Sequence, residues 1–510
     1  MKRYDPMSWL SVLAAAVALS MNPSLVAASR QSAAGWDGSS LRRSAETPLR
    51  PPVSAGQLPA AAVVKPNVVL ILADDLGWTD LGCYGSTYYK SPHIDRLARD
   101  GVRFTQAYSA CTVCSPSRAA ILTGKYPGRL HITDWIPGLP PPNPKLLVPD
   151  WTKHLPLEEL TLANALRQAG YATASIGKWH LGGEDYYPER HGFDRNIAGS
   201  DKPGPPSYFA PYKIPTLTEG PEGEYVTDRL GEEAVRWLDA NNDKPFFLYL
   251  PHFAVHTPIQ GKPDLIRKFR GQKRPGQFQT NEVYAAMVAS LDDAVGRVRN
   301  KVEELGLADR TVFVFASDNG GRITQGTTSN LPLRAGKGSC YEGGTRTPLI
   351  VYWPGVTKPG SICGTPVIGT DLYRTILEAV GAKERADTAL DSVSLVPLLR
   401  QTGGLKRDEL FWHYPHYQHY QLGGTTPYGA IRKGDFKLIE FFSGMRVELY
   451  NLRDDIGEQT NLAASMPDKV RELRARLHAW RKEVGAQMPA PNPAYDPSQP
   501  EVPPKRQKKT

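Results

Sequence analysis

The chain has 510 residues, five cysteines and a formal net charge of +9. This length accommodates one large domain and a smaller one, and five cysteines are too few for a disulfide framework in a chain of this size. Four of the positive charges lie in the closing run 505–509, after a proline-rich stretch. Because the sequence carries no nucleic-acid-binding motif, we expect no nucleic-acid partner and interpret this run as a solvated tail or a weak contact to an anionic polymer.

The N-terminus has the order of residues that is typical of a secretory signal peptide. Met1-Lys2-Arg3 precedes an apolar run over 9–21, and Val26-Ala27-Ala28 offers small residues for cleavage. The apolar run is shorter than a comfortable membrane span, and an uncleaved anchor is the alternative. We therefore predict a signal peptide over 1–28, a flexible linker over 29–65, export to the periplasm or the medium, and no stable membrane insertion after cleavage.

Apolar runs and amphipathic segments alternate over residues 66–407. This alternation predicts an α/β fold with a large, mostly parallel central sheet and helices on both faces. Ligands of such sheets bind at the carboxyl ends of the strands, so the polar residues directly after each strand are the first candidates for a site. The predicted strands are 67–73, 171–176, 245–250 and 311–316, and the predicted helices are 93–100, 161–168, 226–240 and 282–304.

From residue 408 the pattern changes to short alternating strands with turns between them. We predict a smaller α+β subdomain over 408–488, with antiparallel strands and one amphipathic helix. Its predicted strands are 430–432, 436–439 and 447–450, and its predicted helix is 468–484. Residues 489–510 are rich in proline and basic residues, which predicts a disordered tail.

Acidic and amide side chains directly follow two of the predicted strands. Asp74 and Asp75 close the first strand, and Asp318 and Asn319 close the strand that ends at residue 316. Adjacent carboxylates repel each other unless a cation neutralises them, and an all-oxygen ligand set suits Ca²⁺ or Mg²⁺ better than zinc. Both segments are also good turn sequences, which is the structural alternative.

Cys114 opens the run Cys-Ser-Pro-Ser-Arg-Ala-Ala-Ile-Leu-Thr-Gly over 114–124. Ser115-Pro116 is also typical of a helix start, and a buried free cysteine there would be ordinary. The run resembles the signature of the type I sulfatases, Cys-x-Pro-Ser-Arg followed by Leu-Thr-Gly. In that family the cysteine is oxidised before folding to Cα-formylglycine, whose hydrate attacks the sulfur of a sulfate ester.

Further motifs resemble the same family and arrive in the family's order. They are Gly177–Gly182 with Lys178 and His180, His256-Thr257-Pro258, Lys337 ahead of Tyr341–Pro348, and Tyr450–Asp455. The resemblance covers roughly 66–485. It implies an alkaline-phosphatase-like α/β sandwich, with a catalytic sulfatase domain over 66–407, and the hydrolysis of sulfuric esters.

The resemblance also implies the metal site and its cofactors. The divalent cation, Ca²⁺ or Mg²⁺, would be bound by Asp74, Asp75, Asp318 and Asn319, with the residue made from Cys114 and the substrate sulfate completing the shell. A formylglycine-generating maturase that acts before folding is an implied partner. Conversion of Cys114 would leave four cysteines whose pairing the sequence does not decide: Cys83, Cys111, Cys340 and Cys363.

Roles for the basic residues follow from the same resemblance. Arg118 would hold the formylglycine oxygen, and its four-residue spacing places it on the helix face of Cys114. Lys178 would steady the formylglycine and His180 would act as the base that expels sulfate; the two point the same way if the preceding strand continues. His256 would contact the sulfate and protonate the leaving alcohol. Lys337 would bind sulfate, and Asp318 would accept the proton of the attacking hydroxyl.

The substrate is the least determined property. Sulfated carbohydrate is favoured because His131, Asp134 and Trp135, together with 412–417 (Trp-His-Tyr-Pro-His-Tyr), could form a pocket rim for a sugar ring. Packing at a domain junction is the alternative for these residues. Other hypotheses are hydrolysis of an aryl sulfate or of a phosphate or phosphonate ester, and an exported polysaccharide-binding protein with an inactive site.

Overall fold

The computed structural model describes residues 65–272, 277–384, 389–418 and 425–499. The signal peptide predicted over 1–28, the linker predicted over 29–65 except its last residue, and the basic run 505–509 lie outside the described residues. Within the described ranges, no helix is both long and apolar enough to cross a membrane.

Sixteen strands and eleven α-helices are numbered in chain order. The strands are β1 (Asn67–Ala73), β2 (Val102–Phe104), β3 (Ala107–Tyr108), β4 (Leu146–Leu147), β5 (Ala172–Ile176), β6 (Arg195–Ile197), β7 (Phe246–Pro251), β8 (Thr311–Ser317), β9 (Leu349–Tyr352), β10 (Ser361–Cys363), β11 (Val367–Ile368), β12 (Glu409–Tyr414), β13 (Tyr428–Lys433), β14 (Phe436–Phe441), β15 (Val447–Asn451) and β16 (Ala490–Pro491). The helices are α1 (Pro92–Asp100), α2 (Cys114–Thr123), α3 (Pro127–Leu130), α4 (Leu162–Gln168), α5 (Val226–Ala240), α6 (Pro263–Arg270), α7 (Glu282–Glu304), α8 (Glu342–Thr345), α9 (Asp371–Val380), α10 (Val396–Leu399) and α11 (Pro467–Glu483).

Eight strands form the central sheet in the order β10-β2-β9-β8-β1-β7-β5-β6. β1 lies between β7 and β8 and is parallel to both, with Val69 opposite Leu248 and Phe313. β9 runs antiparallel to its neighbours β8 and β2. The sheet is therefore mostly parallel, and the predicted strands and helices of this domain are present with ends that agree to within one residue.

Helices cover both faces of the sheet, so β1 is buried along its whole length. Val69 and Ile71 pack into a core with residues of α1, α5 and α7. Val68 and Leu70 face the opposite core, which contains residues of α2, α4 and α9. This double cover explains why the strand sequence is a continuous apolar run with no polar alternation.

The C-terminal region forms a second, antiparallel sheet in the order β12-β13-β14-β15. Helix α11 packs on β13 and β14, with Leu473, Leu477 and Trp480 in the shared core. The three strands and the helix predicted here are confirmed. The fourth strand, β12, is the one that we interpreted as part of a pocket rim. The same core contains Ala120 of α2, so this sheet packs against the helix that carries the signature.

The tail that we predicted to be disordered from residue 489 is ordered as far as Gln499. Strand β16 pairs antiparallel with β4, and Asn143 Nδ2 donates to the carbonyl oxygens of Asp496 and Gln499 at 2.8 and 3.2 Å. Proline-rich backbone is extended and leaves its carbonyl groups free, so a neighbouring loop can order it through hydrogen bonds. The prediction from composition alone was wrong for this part of the tail.

Candidate active site

Four adjacent strands, β8, β1, β7 and β5, end at one edge of the sheet, and a polar residue follows each of them. Asp318 follows β8, Asp74 follows β1, His256 comes shortly after β7 and Lys178 shortly after β5. Asp318, Asp74 and Lys178 are completely buried. Parallel strands present their carboxyl ends together, so this topology gathers residues that are far apart in sequence into one site.

Cys114 is the first residue of α2, after Val113 in extended conformation. It is 2% exposed, and its Sγ lies 3.7 Å from Lys337 Nζ. Burial raises the pKa of the Cys114 thiol above its ordinary value, so an unmodified cysteine would stay neutral at neutral pH. The environment therefore does not activate a thiolate, which agrees with the oxidised nucleophile implied by the signature.

Two buried ion pairs surround Cys114 on the side of β1 and β8. Asp74 Oδ2 accepts a hydrogen bond from Lys178 Nζ at 2.7 Å. Asp318 Oδ2 accepts two from the guanidinium of Arg118, at 3.0 and 2.8 Å. All four charged side chains are inaccessible to solvent. The structure thus brings Arg118 and Lys178 to the predicted metal ligands, as the motifs suggested.

Asp75 is surrounded by three further side chains. Its carboxylate accepts hydrogen bonds from Lys337 Nζ at 2.9 Å and from Asn319 Nδ2 at 2.8 Å, and His256 Nε2 lies 3.7 Å away. Burial opposes ionisation of Asp75, but Lys337 and His256 hold its pKa well below the usual range. Asp75 is therefore ionised, as a metal ligand must be.

A divalent cation fits this donor set. Asp74, Asp75, Cys114 and His256 each offer a ligand atom, and these atoms lie within 4.8 Å of one another. Asp74 Oδ1 and Asn319 Oδ1 are buried and have no hydrogen-bond partner among the described residues. A buried polar atom without a partner costs roughly 1–3 kcal/mol, and coordination to a hard cation would satisfy both oxygens.

Three further titratable side chains of the site have displaced pKa values. Burial and the neighbouring Asp74 carboxylate raise the pKa of Asp318 to about 6. Burial and Lys337 lower the pKa of His256 to about 3, and burial lowers that of His180 well below its ordinary value. Both imidazoles are therefore neutral at neutral pH.

Lys178 and His180 reach the site from a loop, because β5 ends just before Gly177. Gly177 and His180 have positive φ values of 129° and 59°, so the strand does not continue beyond Ile176. The expectation that Lys178 and His180 point the same way depended on a continuing strand and therefore does not apply. Gly177 is required here, since a Cβ would lie 2.0 Å from the carbonyl oxygen of Pro251. The turn allows Lys178 to reach Asp74.

The sequence motifs did not indicate the contacts that hold the two histidines. His180 Nε2 lies 2.6 Å from the carbonyl oxygen of Ile136, and the amide of Ile136 donates to Ser115 Oγ at 3.1 Å. Ser115 is thus not the N-cap of α2, which begins at Cys114. The Tyr208 hydroxyl lies 2.9 Å from the carbonyl oxygen of His256. Backbone atoms take part in all of these contacts, so no side-chain pattern indicates them.

Most residues predicted for the pocket rim lie in the interior. Trp412, His413 and Tyr414 belong to β12 and are buried. Trp412 Nε1 donates to the carbonyl oxygen of Ser109 at 2.9 Å, and the Tyr414 hydroxyl donates to Asp134 at 2.6 Å. These residues therefore pack at the domain junction, because their polar groups form hydrogen bonds within the protein.

Three of the predicted rim residues line a small cavity. Asp134, His416 and Tyr417 enclose about 110 Å³ together with Trp151 and Lys153. The Trp151 and His416 rings meet edge to face at 5.4 Å. This cavity and the site share the segment around Ile136, and a role of these three residues in substrate binding stays a prediction.

Known proteins resemble this chain over most of its length. A family model described as Sulfatase matches residues 66–382, and one described as N-sulphoglucosamine sulphohydrolase, C-terminal, matches 336–484. A protein of Formosa agariphila named Sulfatase is 35% identical over 512 residues, covering 85% of this chain and 91% of the relative. Arylsulfatase A of Homo sapiens is 34% identical over 471 residues, covering 81% and 87%. The crystal structure of Ps i-CgsB in complex with k-i-k-neocarrahexaose has a TM-score of 0.69 at 31% identity, covering 82% of this chain and 93% of that chain.

The family has a formylglycine-type catalytic residue and a divalent metal. In this chain the buried cluster of Cys114, Asp74, Asp75 and Asn319 is compatible with both groups. Sulfate ester hydrolysis follows from the family and from the site together. The chain belongs to the sulfatase family of the alkaline phosphatase superfamily.

Proposed function

We propose that this sulfatase hydrolyses sulfate monoesters of a sulfated carbohydrate. The observation that carries the proposal is the similarity to Ps i-CgsB, which was solved with a neocarrahexaose, over 82% of this chain. The C-terminal region, which matches N-sulphoglucosamine sulphohydrolase, supports the same substrate class.

The charges of the site suit a sulfate monoester. Three buried cations, Arg118, Lys178 and Lys337, balance three carboxylates, Asp74, Asp75 and Asp318. When present, formylglycine at residue 114 supplies a hydroxyl nucleophile, and the divalent cation neutralises charge on the sulfate oxygens. Fixed charges in a buried site stabilise a developing negative charge far more strongly than water does.

Two residues are positioned to move protons. Asp318, with a pKa of about 6, would accept the proton of the attacking hydroxyl. His256 Nδ1 lies 2.8 Å from the carbonyl oxygen of Thr257, which leaves Nε2 for the substrate. The negative charge of a bound sulfate raises the pKa of this imidazole, which favours the protonated form that a donor to the leaving alcohol needs.

His180 has the geometry of a base. Its Nε2 lies 2.6 Å from the carbonyl oxygen of Ile136, and its Nδ1 is buried with no hydrogen-bond partner among the described residues. Donation from Nε2 leaves Nδ1 unprotonated, as a base requires. We assign His180 to the removal of the second hydroxyl proton, and Arg118, Lys178 and Lys337 to binding.

The identity of the metal and the maturation of the protein are part of the proposal. An oxygen-rich ligand set favours Ca²⁺, with Mg²⁺ as the alternative. Cys114 is almost inaccessible in the folded chain, so a maturase would have to oxidise it before folding. The sequence of residues 1–28 supports export to the periplasm or the medium, where anionic polysaccharides are accessible.

A substrate panel tests the proposed function. Protein produced with a formylglycine-generating maturase is assayed on sulfated mono- and oligosaccharides, nitrophenyl sulfate and the matching phosphate monoesters. We expect the largest kcat/KM on a sulfated sugar. Faster turnover of the phosphate esters would contradict a sulfatase assignment, and turnover confined to nitrophenyl sulfate would contradict the carbohydrate.

A further inference from the structure

A groove of about 1040 Å³ lies outside the set of residues assigned to catalysis. Its lining contains Trp78, which follows the proposed metal ligand Asp75 along the same loop. The lining also contains Leu331 and Pro332, which precede Lys337. The two loops that bring Asp75 and Lys337 to the active site therefore also form the groove, which places it beside the site.

Aromatic rings form much of the groove surface. Trp78, Tyr84, Tyr88 and Phe278 line it. The Trp78 and Tyr84 rings meet edge to face at 6.0 Å, and the guanidinium of Arg346 covers one face of the Trp78 indole at 4.7 Å. Phe278 is 70% exposed. Tyr84 and Tyr88 are buried beneath the surface, so the half-buried Trp78 and the exposed Phe278 provide the flat apolar surfaces on which a sugar ring could stack.

Amide and hydroxyl groups lie between these rings. Gln272, Thr87 and Ser329 also line the groove. A glutamine amide donates and accepts, and a hydroxyl does both, so such groups match the hydroxyls of a carbohydrate in either direction. A pocket with aromatic walls and a few polar groups is a typical site for a ligand that is apolar on one face and polar at its edges.

Lys90 lines the groove, and further basic residues lie on the helix that leads to it. Helix α6 leads directly into Gly271 and Gln272 at the groove, and its last turn carries Arg267, Lys268 and Arg270, all exposed to solvent. Glu282 is paired with Arg270 at 3.5 Å. Lys90, which is exposed and lines the groove, adds a further positive charge. This charge distribution favours an anionic ligand.

We propose that this groove binds a sulfated polysaccharide chain without cleaving it and so holds polymeric substrate beside the active site. The inference rests on the proposed carbohydrate substrate for the choice of polymer. Aromatic faces and hydroxyl-binding groups recognise the sugar, and the basic rim recognises its sulfates. Attachment at a second site raises the effective concentration of sulfate esters at the nucleophile.

The test compares the double variant Phe278→Ala/Lys90→Ala with a matched surface control, Ile362→Ala/Arg471→Ala. Ile362 is 63% exposed and the Arg471 side chain 74% exposed, and neither lines the groove. Binding is measured by affinity electrophoresis in native gels that contain iota-carrageenan, with agarose as the unsulfated reference. We expect about tenfold weaker retention of the groove variant, and no change for the control variant.

Kinetics separate the groove from the active site. The groove variant should show a raised KM on the polymer, with unchanged kcat and KM on nitrophenyl sulfate. Equal retention of wild type and groove variant would overturn the proposal. Retention in polyphosphate gels that falls in parallel with retention in carrageenan gels would also overturn it, because the surface would then bind any polyanion. The proposed function is tested separately, by measuring turnover of sulfated monosaccharides by the wild type. Absence of this turnover would contradict the proposed function and not the groove.

Discussion

Lys437 Nζ lies 2.9 Å from Glu342 Oε1, and both side chains are completely buried. Glu458 Oε1 is 3.0 Å from the same ammonium group, and Glu458 Oε2 accepts a hydrogen bond from the Glu342 amide at 2.7 Å. Glu342 begins α8, shortly after Lys337, whereas Lys437 belongs to β14. This ion cluster therefore ties the C-terminal sheet to the segment that carries Lys337, the lysine proposed to bind sulfate.

Replacing the central cation of this cluster should destabilise the protein strongly. Lys437→Met removes the cation that two buried carboxylates share, and loss of one member of a buried pair costs about 3–5 kcal/mol. The control is Lys433→Met, because the Lys433 side chain is 36% exposed and pairs with Glu409 at 3.1 Å; this change should cost less than about 1 kcal/mol. Denaturant unfolding of both variants measures the difference, and equal stabilities would contradict the role of the cluster.

A buried histidine should make stability depend on pH. Burial lowers the pKa of His191 to about 4, and neither ring nitrogen has a hydrogen-bond partner among the described residues. The unfolded chain binds this proton at the ordinary value near 6.5. The contribution of His191 to stability is therefore complete above that pH and is lost as the pH falls from about 6.5 towards 4, by roughly 1.4 kcal/mol per pH unit.

The variant His191→Phe removes this titration and fills the same space next to Trp179, whose ring lies 5.4 Å away. Between pH 7 and 5, its free energy of unfolding should decline less steeply than that of the wild type. The difference between the two slopes should correspond to one proton taken up on unfolding. His131→Gln, at a half-buried histidine near the carbonyl oxygen of Gly485, is the control. Identical pH slopes for wild type and His191→Phe would show that His191 is not neutral in the folded protein.

Removal of the metal should abolish turnover without unfolding the chain. A strong chelator, or Asp75→Asn, takes away the charge that compensates the sulfate, and we expect a loss of about 10³-fold or more in kcat. Added Ca²⁺ or Mg²⁺ should restore the chelated wild type but not the variant. Elemental analysis identifies the bound ion, and stoichiometric zinc without calcium or magnesium would contradict the argument from oxygen ligands.

His256→Ala should affect substrates according to their leaving group. A sugar alkoxide needs a proton in the transition state, whereas nitrophenolate leaves without one. We expect kcat on a sulfated sugar to fall by about 10²–10⁴-fold and kcat on nitrophenyl sulfate to fall much less. Equal losses on both substrates would mean that His256 binds sulfate, and Lys337 would become the next candidate for the proton donor.

Four of the eight strands of the central sheet, β1, β5, β7 and β8, could be predicted from sequence because they are longer, largely apolar and followed by polar residues. The other four are only three or four residues long and were not predicted. Asp74 and Asp318 were identified in this way, since the ends of parallel strands meet at one edge. Lys178 and His180 were identified from a motif, but their positions depend on the positive φ of Gly177 and on its contact with β7. Such turn geometry is set by tertiary packing, which a local pattern does not contain.

Other features of the protein could not be predicted because they depend on contacts between residues that are far apart in the sequence. The aromatic residues of β12 have the composition of a binding rim, yet Trp412 donates to Ser109 in the interior. Lys437 gives no local sign that it pairs with Glu342, which lies in a different subdomain. Proline-rich sequence after residue 488 indicated disorder, whereas its backbone is ordered by Asn143.

The most direct test concerns the nucleophile at position 114. Wild type and Cys114→Ala are both produced with a formylglycine-generating maturase, and turnover of a sulfated sugar is measured together with the mass of the peptide that contains residue 114. We predict that the wild-type peptide has the mass of formylglycine and that Cys114→Ala melts at the same temperature but has no measurable turnover. Turnover by Cys114→Ala that is comparable to the wild type, or an active wild type whose residue 114 is entirely unmodified cysteine, would contradict the account.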